Sequence, residues 1–386
     1  MTPMSEMQSF VLSDASVVLA DEVLEHGWVV VADGSIVEIG TSRPPEVGLS
    51  LDGDLLIPGL IELHTDHLES HIEPRPNVDW HPNSAVISYD AQIAAAGITT
   101  VFDCLRLGAD RNERDEGGAR AIRIADTLSA EAARGNLRAE HRTHLRCELC
   151  SRDVVDAARN FLSGREVGIL SLMDHTPGQR QFRDINKLRA YYLSKLQMSE
   201  NELQKLFDER YRLHQTHAVD HRRALVDMAR SRGITLASHD DTTIEHVQES
   251  VDNGAVIAEF PTTFEAAEAS HAARISVVMG APNLIRGGSH SGNVAASELA
   301  EAGLLDIFSS DYIPASLLMA AFALPKHNAT IDLPAALATV TSSPARAAGL
   351  ADRGEIAVGK RADLVRVRSG ETPIVRTVWR EGNRVF

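Results

Sequence analysis

The chain has 386 residues, 44% of them hydrophobic and 24% charged, with a formal net charge of −16. So acidic a balance argues against a nucleic-acid or anionic-membrane surface, while leaving room for a local basic pocket. No run approaches about 18 apolar residues, the start Met1-Thr2-Pro3-Met4-Ser5-Glu6 lacks the features of a secretory signal, and an odd count of three cysteines fits a reducing cytoplasm.

The first fifty-odd residues read as β. Ala15-Ser16-Val17-Val18-Leu19 is an apolar run, and Trp28-Val29-Val30-Val31 and Ile36-Val37-Glu38-Ile39 flank Asp33-Gly34, a dipeptide that favours a tight hairpin. From Ile57 onward, short apolar runs alternate with helical stretches. Candidate strands are 57–63, 98–103, 142–148, 168–173, 234–238, 255–259, 275–279 and 305–309, with helices such as 119–134 and 222–231 between them. Eight strands in βα alternation predict an α/β fold, a TIM-like (β/α)8 barrel whose active site lies at the C-terminal ends of its strands. One connection differs. Residues from about 182 to 232 are charged, rich in Tyr, Leu, Gln and Lys, and carry no strand signal. They predict a helical insertion, either a lid over the barrel mouth or an enlarged barrel helix. Near the other end, Gly359-Lys360-Arg361-Ala362-Asp363-Leu364-Val365 and Val378-Trp379-Arg380-Glu381-Gly382-Asn383-Arg384-Val385-Phe386 again read as β. Residues 1–56 and 345–386 are therefore expected to join as one small β-sandwich-like domain, with the barrel spanning 57–344.

Polar residues collect at the ends of the predicted strands. His64 and Asp66 stand two apart, so on a strand they share a face. An imidazole nitrogen and a carboxylate oxygen aimed at one point make half of a divalent-metal site. On the strand 142–148, Glu148 closes an alternating face that also carries Arg142, His144 and Arg146. The fourth strand ends in Asp174-His175 and leads to Arg180, the fifth in His239-Asp240-Asp241, the sixth in Glu259 and the eighth in Asp311. Taken singly, a His at a strand end is more often a hydrogen-bonded core group, and Asp240 and Asp241 before Thr242-Thr243-Ile244 read as helix N-caps. Repeated at one barrel face, the same residue types favour a divalent centre, with two ions making hydroxide available near neutral pH. Zinc is the first expectation, with manganese and iron as alternatives. The expected ligands are His64, Asp66, Glu148, His175, His239 and Asp311. Glu148 is the candidate for a bridging carboxylate, and Asp311 would also accept the proton of the attacking water. Cys147 and Cys150 form a C-x-x-C without a second pair, which reads as a chance spacing of buried thiols.

The segment Arg286-Gly287-Gly288-Ser289-His290-Ser291-Gly292-Asn293 is the second informative feature. Its glycines let backbone N–H groups approach an anion, and Arg286, Ser289 and His290 add donors. With Arg146 and Arg180 at the same barrel face, it predicts a small, polyanionic substrate.

Ile57-Pro58-Gly59-Leu60-Ile61-Glu62-Leu63-His64-Thr65-Asp66, together with the Gly359–Val365 stretch quoted above, resembles the amidohydrolase superfamily. His144-Leu145-Arg146-Cys147-Glu148, Ser171-Leu172-Met173-Asp174-His175-Thr176-Pro177-Gly178-Gln179-Arg180, Ala258-Glu259-Phe260-Pro261-Thr262-Thr263 and the Gly-rich loop are similar to a narrower branch. That branch comprises the diphosphatases serving phosphonate breakdown by the carbon–phosphorus lyase pathway, and the resemblance runs nearly end to end. It implies α-D-ribose 1-methylphosphonate 5-triphosphate as substrate, with diphosphate released and the 5-phosphate left. It implies a cytoplasmic enzyme and leaves homo-oligomer formation open. The chain departs from the wider superfamily in having Asp66 rather than a second His, no Lys at the end of the fourth strand, and Glu259 where a His is usual. His175 is expected to fill the resulting gap. Two rival readings are a C–N hydrolase (deaminase or cyclic amidase), which the anion-binding loop disfavours, and a non-catalytic partner in a phosphonate-processing complex. The second is disfavoured because a scaffold need not keep buried carboxylates.

Overall fold

The computed structural model describes residues 9–75, 78–108, 117–180, 185, 188–189, 193, 199–289 and 292–386. The strands form two eight-stranded sheets. The first joins both ends of the chain. Its N-terminal members are β1 (Ser9–Val18), β2 (Val23–Ala32), β3 (Ser35–Gly40), β4 (Leu49–Ser50) and β5 (Leu55–Pro58), and its C-terminal members are β14 (Leu364–Arg368), β15 (Ile374–Arg380) and β16 (Asn383–Arg384). Because β5 pairs with β1 on one side and β14 on the other, early and late segments share one hydrogen-bonded surface. Asp33-Gly34 is the β2–β3 turn, with φ of 49° and 77°, the left-handed pair that a type I′ hairpin needs.

The second sheet is parallel throughout and runs in sequence order: β6 (Leu60–Thr65), β7 (Ile98–Leu107), β8 (Glu140–Glu148), β9 (Ile169–Met173), β10 (Thr235–His239), β11 (Ile257–Glu259), β12 (Ser276–Gly280) and β13 (Ile307–Ser309). Helices cover its outer face, so strands such as β6 and β9 are buried along their whole length and read as unbroken apolar runs. One expected boundary is corrected. The run 57–63 is two strands, since Pro58 ends β5 in the first sheet and Leu60 begins β6 in the second. Gly59 makes the crossing possible, because a Cβ there would collide with the Thr99 side chain and sit 3.0 Å from the Asp363 Cβ.

The parallel sheet closes at its mouth. A bridge between Thr65 and Asp311 joins the first and last strands, with the Asp66 N–H donating to the Asp311 carbonyl (2.9 Å) and the Asp311 N–H to the His64 carbonyl (3.2 Å). Beneath it, the wholly buried Glu62 accepts from the backbone N–H groups of His64 (2.7 Å) and Ser310 (2.6 Å). His64, Asp66 and Asp311 thus lie along one seam.

Within the expected insertion, Glu200–Arg232 forms a single helix of 33 residues. Ser199 and Glu202 cap it reciprocally, and Gly233 (φ 65°) ends it. Most of 182–198 lies outside the described residues.

A buried polar group ties the helix Pro82–Ala95 to β7 and β8. His141 lies between Asp103 (2.8 Å from Nδ1) and Asp90 (3.2 Å from Nε2), and the Tyr89 hydroxyl donates to Asp103 (2.7 Å). Burial disfavours the imidazolium, but the two carboxylates outweigh it and push its pKa from 6.5 up to about 9. A raised folded-state value means that this stabilisation is fully present below about pH 6.5 and is lost as pH rises through about 9. His141→Gln should therefore remove on the order of 2 kcal/mol of the decline in stability across that window. Urea unfolding of both proteins at the two ends of the window measures it, and parallel declines would show that His141 is not the group responsible.

Candidate active site

At the centre of the mouth, one carboxylate holds two imidazoles. Glu259, the last residue of β11, places its oxygens 2.8 Å from His64 Nδ1 and 3.0 Å from His239 Nδ1. The two rings stack at 5.5 Å with 15° between their planes, and the Phe260 ring stands edge-on to both. A carboxylate on Nδ1 fixes each imidazole with its proton there, which turns the Nε2 lone pair towards the opposite side. Burial alone would raise the Glu259 pKa, but the charges of His64 and His144 and the bonds from His239 and His64 hold it well below the usual carboxylate range.

Next to this pair stand His175, just beyond β9, and Asp240, just beyond β10. Asp240 Oδ2 is buried and has no hydrogen-bond partner among the described residues. It lies 3.4 Å from His239 Nε2 and 4.0 Å from His175 Nε2. Such separations suit donor atoms converging on one cation, since two ligands at about 2.1 Å from an ion and a tetrahedral angle lie about 3.4 Å apart. The donor set therefore fits a divalent ion. His175–His239–Asp240 brings three such atoms within 4.8 Å of one another, beside the His64–His239–Glu259 group, whose carboxylate is already engaged at the two Nδ1 atoms. Asp240, Phe260 and Asp311 all have left-handed backbones, with φ of 58°, 55° and 55°. For a bulky Phe that conformation is costly, and unusual backbone gathered at three strand ends of one barrel face is characteristic of a functional site.

These residues open onto a cavity of about 460 Å³, within the range of small-molecule sites. His64, Asp66, Arg146, His175, His239, Asp240 and Asp311 line it, together with Arg286, Gly288 and Ser289. Arg146 Nη1 donates to both oxygens of Asp66, at 2.6 and 2.7 Å. Burial would raise Asp66, but Arg146 prevails and holds its pKa down to about 2. Asp311 moves the other way. Burial pushes its carboxyl up, and the charge of Asp66 adds to the shift. Asn283, just before the glycine loop, ties down the chain after it: its Nδ2 donates to the Val294 carbonyl (3.3 Å) and its Oδ1 accepts from the Ala296 N–H (3.1 Å). Gly287 and Gly288, at φ of 80° and 146°, take backbone conformations open in practice only to glycine.

Two expected positions fall elsewhere, and a third is not among the described residues. Arg180 does not line the cavity: it is buried in ion pairs with Asp241 and Glu249, and Nη1 also reaches the His239 carbonyl (3.2 Å). Two carboxylates satisfy its charge, so it shapes the end of β10 rather than meeting an anion. Glu148 is not grouped with His64 and His239. Its oxygens accept from the His175 backbone (3.0 Å), His175 Nδ1 (2.5 Å), Arg106 (3.1 Å) and the Cys150 thiol (3.2 Å). The carboxylate joining two histidines is instead Glu259. His290 lies outside the described residues. Asp240 was open to a helix-cap reading, yet the cap of the next helix is Thr243, whose hydroxyl accepts from the His246 N–H. Cys147 and Cys150 are buried free thiols, as their spacing suggested.

The sequence profile of the amidohydrolase family matches residues 85–386. Over 383 residues, covering 97% of this chain and 100% of the other, it is 46% identical to the alpha-D-ribose 1-methylphosphonate 5-triphosphate diphosphatase of Escherichia coli (strain K12). The chain belongs to the amidohydrolase family. Solved structures with this architecture include ochratoxinase of A. niger, which has a TM-score of 0.68 at 12% identity and covers 98% of this chain and 96% of its own. N-acetyl-D-glucosamine-6-phosphate deacetylase from Mycobacterium smegmatis scores 0.61 at 17% identity, covering 98% and 99%. At such identities the likeness concerns the fold, an amidohydrolase barrel with a second sheet from the termini. Amidohydrolases are metal-dependent hydrolases, and this member carries clustered His and carboxylate donors where an ion would sit. Among the described residues, no helix is long and apolar enough to cross a membrane.

Proposed function

We propose that this amidohydrolase hydrolyses α-D-ribose 1-methylphosphonate 5-triphosphate, releasing diphosphate and leaving the 5-phosphate, as a cytoplasmic step of phosphonate breakdown. The observation that carries this reading is that one cavity is lined both by a His/carboxylate cluster and by Arg286, Gly288 and Ser289. The E. coli relative supplies the substrate class.

His64, His175, His239 and Asp240, with Asp66 and Asp311, would hold the metal, while Glu259 and Glu148 orient the histidines from behind. Two ions are proposed, zinc ahead of manganese or iron, because the donors mix imidazole and carboxylate. When bound, the metal supplies Lewis-acid stabilisation of charge developing on the attacked phosphoryl group. The chain itself orients the triphosphate and handles the proton. Arg286 pairs with the phosphate oxygens, and Arg146, with its charge partly balanced by Asp66, adds positive potential beneath them. Water oxygen bonds to the α-phosphorus, the bond from phosphorus to the bridging oxygen breaks, and diphosphate leaves with the electron pair. Asp311 takes up the proton of the water.

Phosphorus NMR of the reaction tests the proposal. Equal amounts of diphosphate and the 5-phosphate are expected. Ammonia release from purines or ring opening of cyclic amides, without diphosphate, would establish the C–N hydrolase alternative. Arg286→Ala should raise KM about 10- to 100-fold, the effect of losing one charged hydrogen bond, with a smaller change in kcat. Initial rates over a range of substrate concentrations measure this, and an unchanged KM would place the polyphosphate elsewhere.

A further inference from the structure

The helix Glu200–Arg232 does more than cover the barrel. Its inward stripe alternates apolar residues, Leu203, Phe207 and Leu225, with polar ones at helical spacing. Arg210 is 4% exposed, and its Nη1 donates to the backbone carbonyl of His175 at 3.1 Å. One turn further on, His214 Nδ1 lies 2.8 Å from Oδ2 of Asp174. His221 Nδ1 meets the Leu149 carbonyl at 3.0 Å. Arg222 pairs with Glu249 (2.6 Å), whose other oxygen meets Arg180, and Arg180 reaches the His239 carbonyl. One helix is therefore tied by polar contacts to the ends of β8 and β9 and, through Arg180, to the end of β10. Those three ends carry Glu148, His175 and the pair His239–Asp240.

A helix needed only as a cover would bury apolar side chains. Burying a guanidinium is costly unless it is bonded, and apolar residues of similar size are often equally stable in its place. Here the buried cation is spent on the main chain of a candidate ligand, and its neighbour on the residue just before. We propose that Arg210 and His214 are positioning residues for the metal centre. Arg210 fixes the main chain at His175 and His214 pairs in charge with the Asp174 side chain, so that the His175 ring, gripped at Nδ1 by Glu148, is held against His239 and Asp240. The helix is then a fixed strap rather than a moving lid. This inference rests on the metal-dependent reading given above.

The test is the Zn²⁺ affinity of the whole chain, measured by competition with a chromophoric chelator, beside thermal melting and steady-state kinetics. Arg210→Met should weaken Zn²⁺ binding about 10- to 100-fold, the usual effect of removing a group that supports a ligand. Its kcat should recover substantially in excess Zn²⁺, with KM for the triphosphate within about twofold of wild type. Arg210→Lys, which keeps a donor within reach of the carbonyl, should retain most of the affinity. If Arg210→Met does not fold, His214→Gln carries the test with the same expected loss. Wild-type affinity in a variant that merely melts earlier would make the helix structural only and overturn the inference. A wild-type protein that takes up no divalent ion would instead bring down the metal-dependent reading itself.

Discussion

Asp311→Asn is expected to lower kcat by about 10²- to 10⁴-fold, the range for loss of a proton-transfer group, while KM changes little. The substitution spares the backbone. Asn tolerates the left-handed backbone that Asp311 adopts at φ 55°, and the main-chain bonds that seal β6 to β13 use its N–H and carbonyl rather than its side chain. What changes is the ability to hold a proton and the negative charge that Asp311 would bring to the metal, which is why metal content must be measured alongside. Of the carboxylates lining the cavity, Asp66 is held ionised by Arg146, whereas burial pushes Asp311 upward. Carboxylates whose environments drive them apart commonly divide their roles in this way. The check is single-turnover kinetics on protein whose metal content has been measured. More than a tenth of the wild-type rate in the metal-loaded variant would remove Asp311 from the proton transfer.

The second large effect is expected at Glu259. Glu259→Ala should weaken divalent-metal binding at least about 10- to 100-fold, and it should destabilise the fold by about 3–5 kcal/mol. Both follow from one arrangement: a buried carboxylate is the shared acceptor for His64 Nδ1 and His239 Nδ1. Without it, two imidazoles are left in the barrel interior with nothing to set their tautomer or tilt. Glu259→Gln, which can accept from only one of them, should fall between. Metal content after dialysis and urea unfolding read the two effects separately. An Ala variant that retains the wild-type metal content would show that the histidines hold their geometry without Glu259.

The barrel was legible because its strands are buried on both faces and so appear as apolar runs, each bounded by polar residues. The Gly59 break was not, because what splits 57–63 is the approach of Thr99 and Asp363, neither close in sequence. The site shows the same division. A His or carboxylate at a strand end identifies itself by type and place, so His64, Asp66, His175, His239 and Asp311 could be named and share one cavity. Pairing is decided across the barrel. Glu148 and Glu259 are equivalent in sequence, each the last residue of a strand, yet one grips a single imidazole and the other two. Arg180 looked available to an anion because Glu249, which helps neutralise it, stands 69 positions away. Asp240 was masked by its resemblance to a helix cap, a role that Thr243 fills.

The seam between β6 and β13 also sets an order of assembly. His64 and Asp66 are made early, but the Thr65–Asp311 bridge needs residues about 245 positions later, and β5 waits for β14. A growing chain therefore lacks Asp311, and carries an unfilled edge on each sheet, until the last quarter has emerged. Contacts so distant along the chain form slowly and leave strand edges exposed to other partners meanwhile. A fragment that ends before Asp311 also lacks the residue that seals the seam beside His64 and Asp66, so the pocket is completed only late in synthesis.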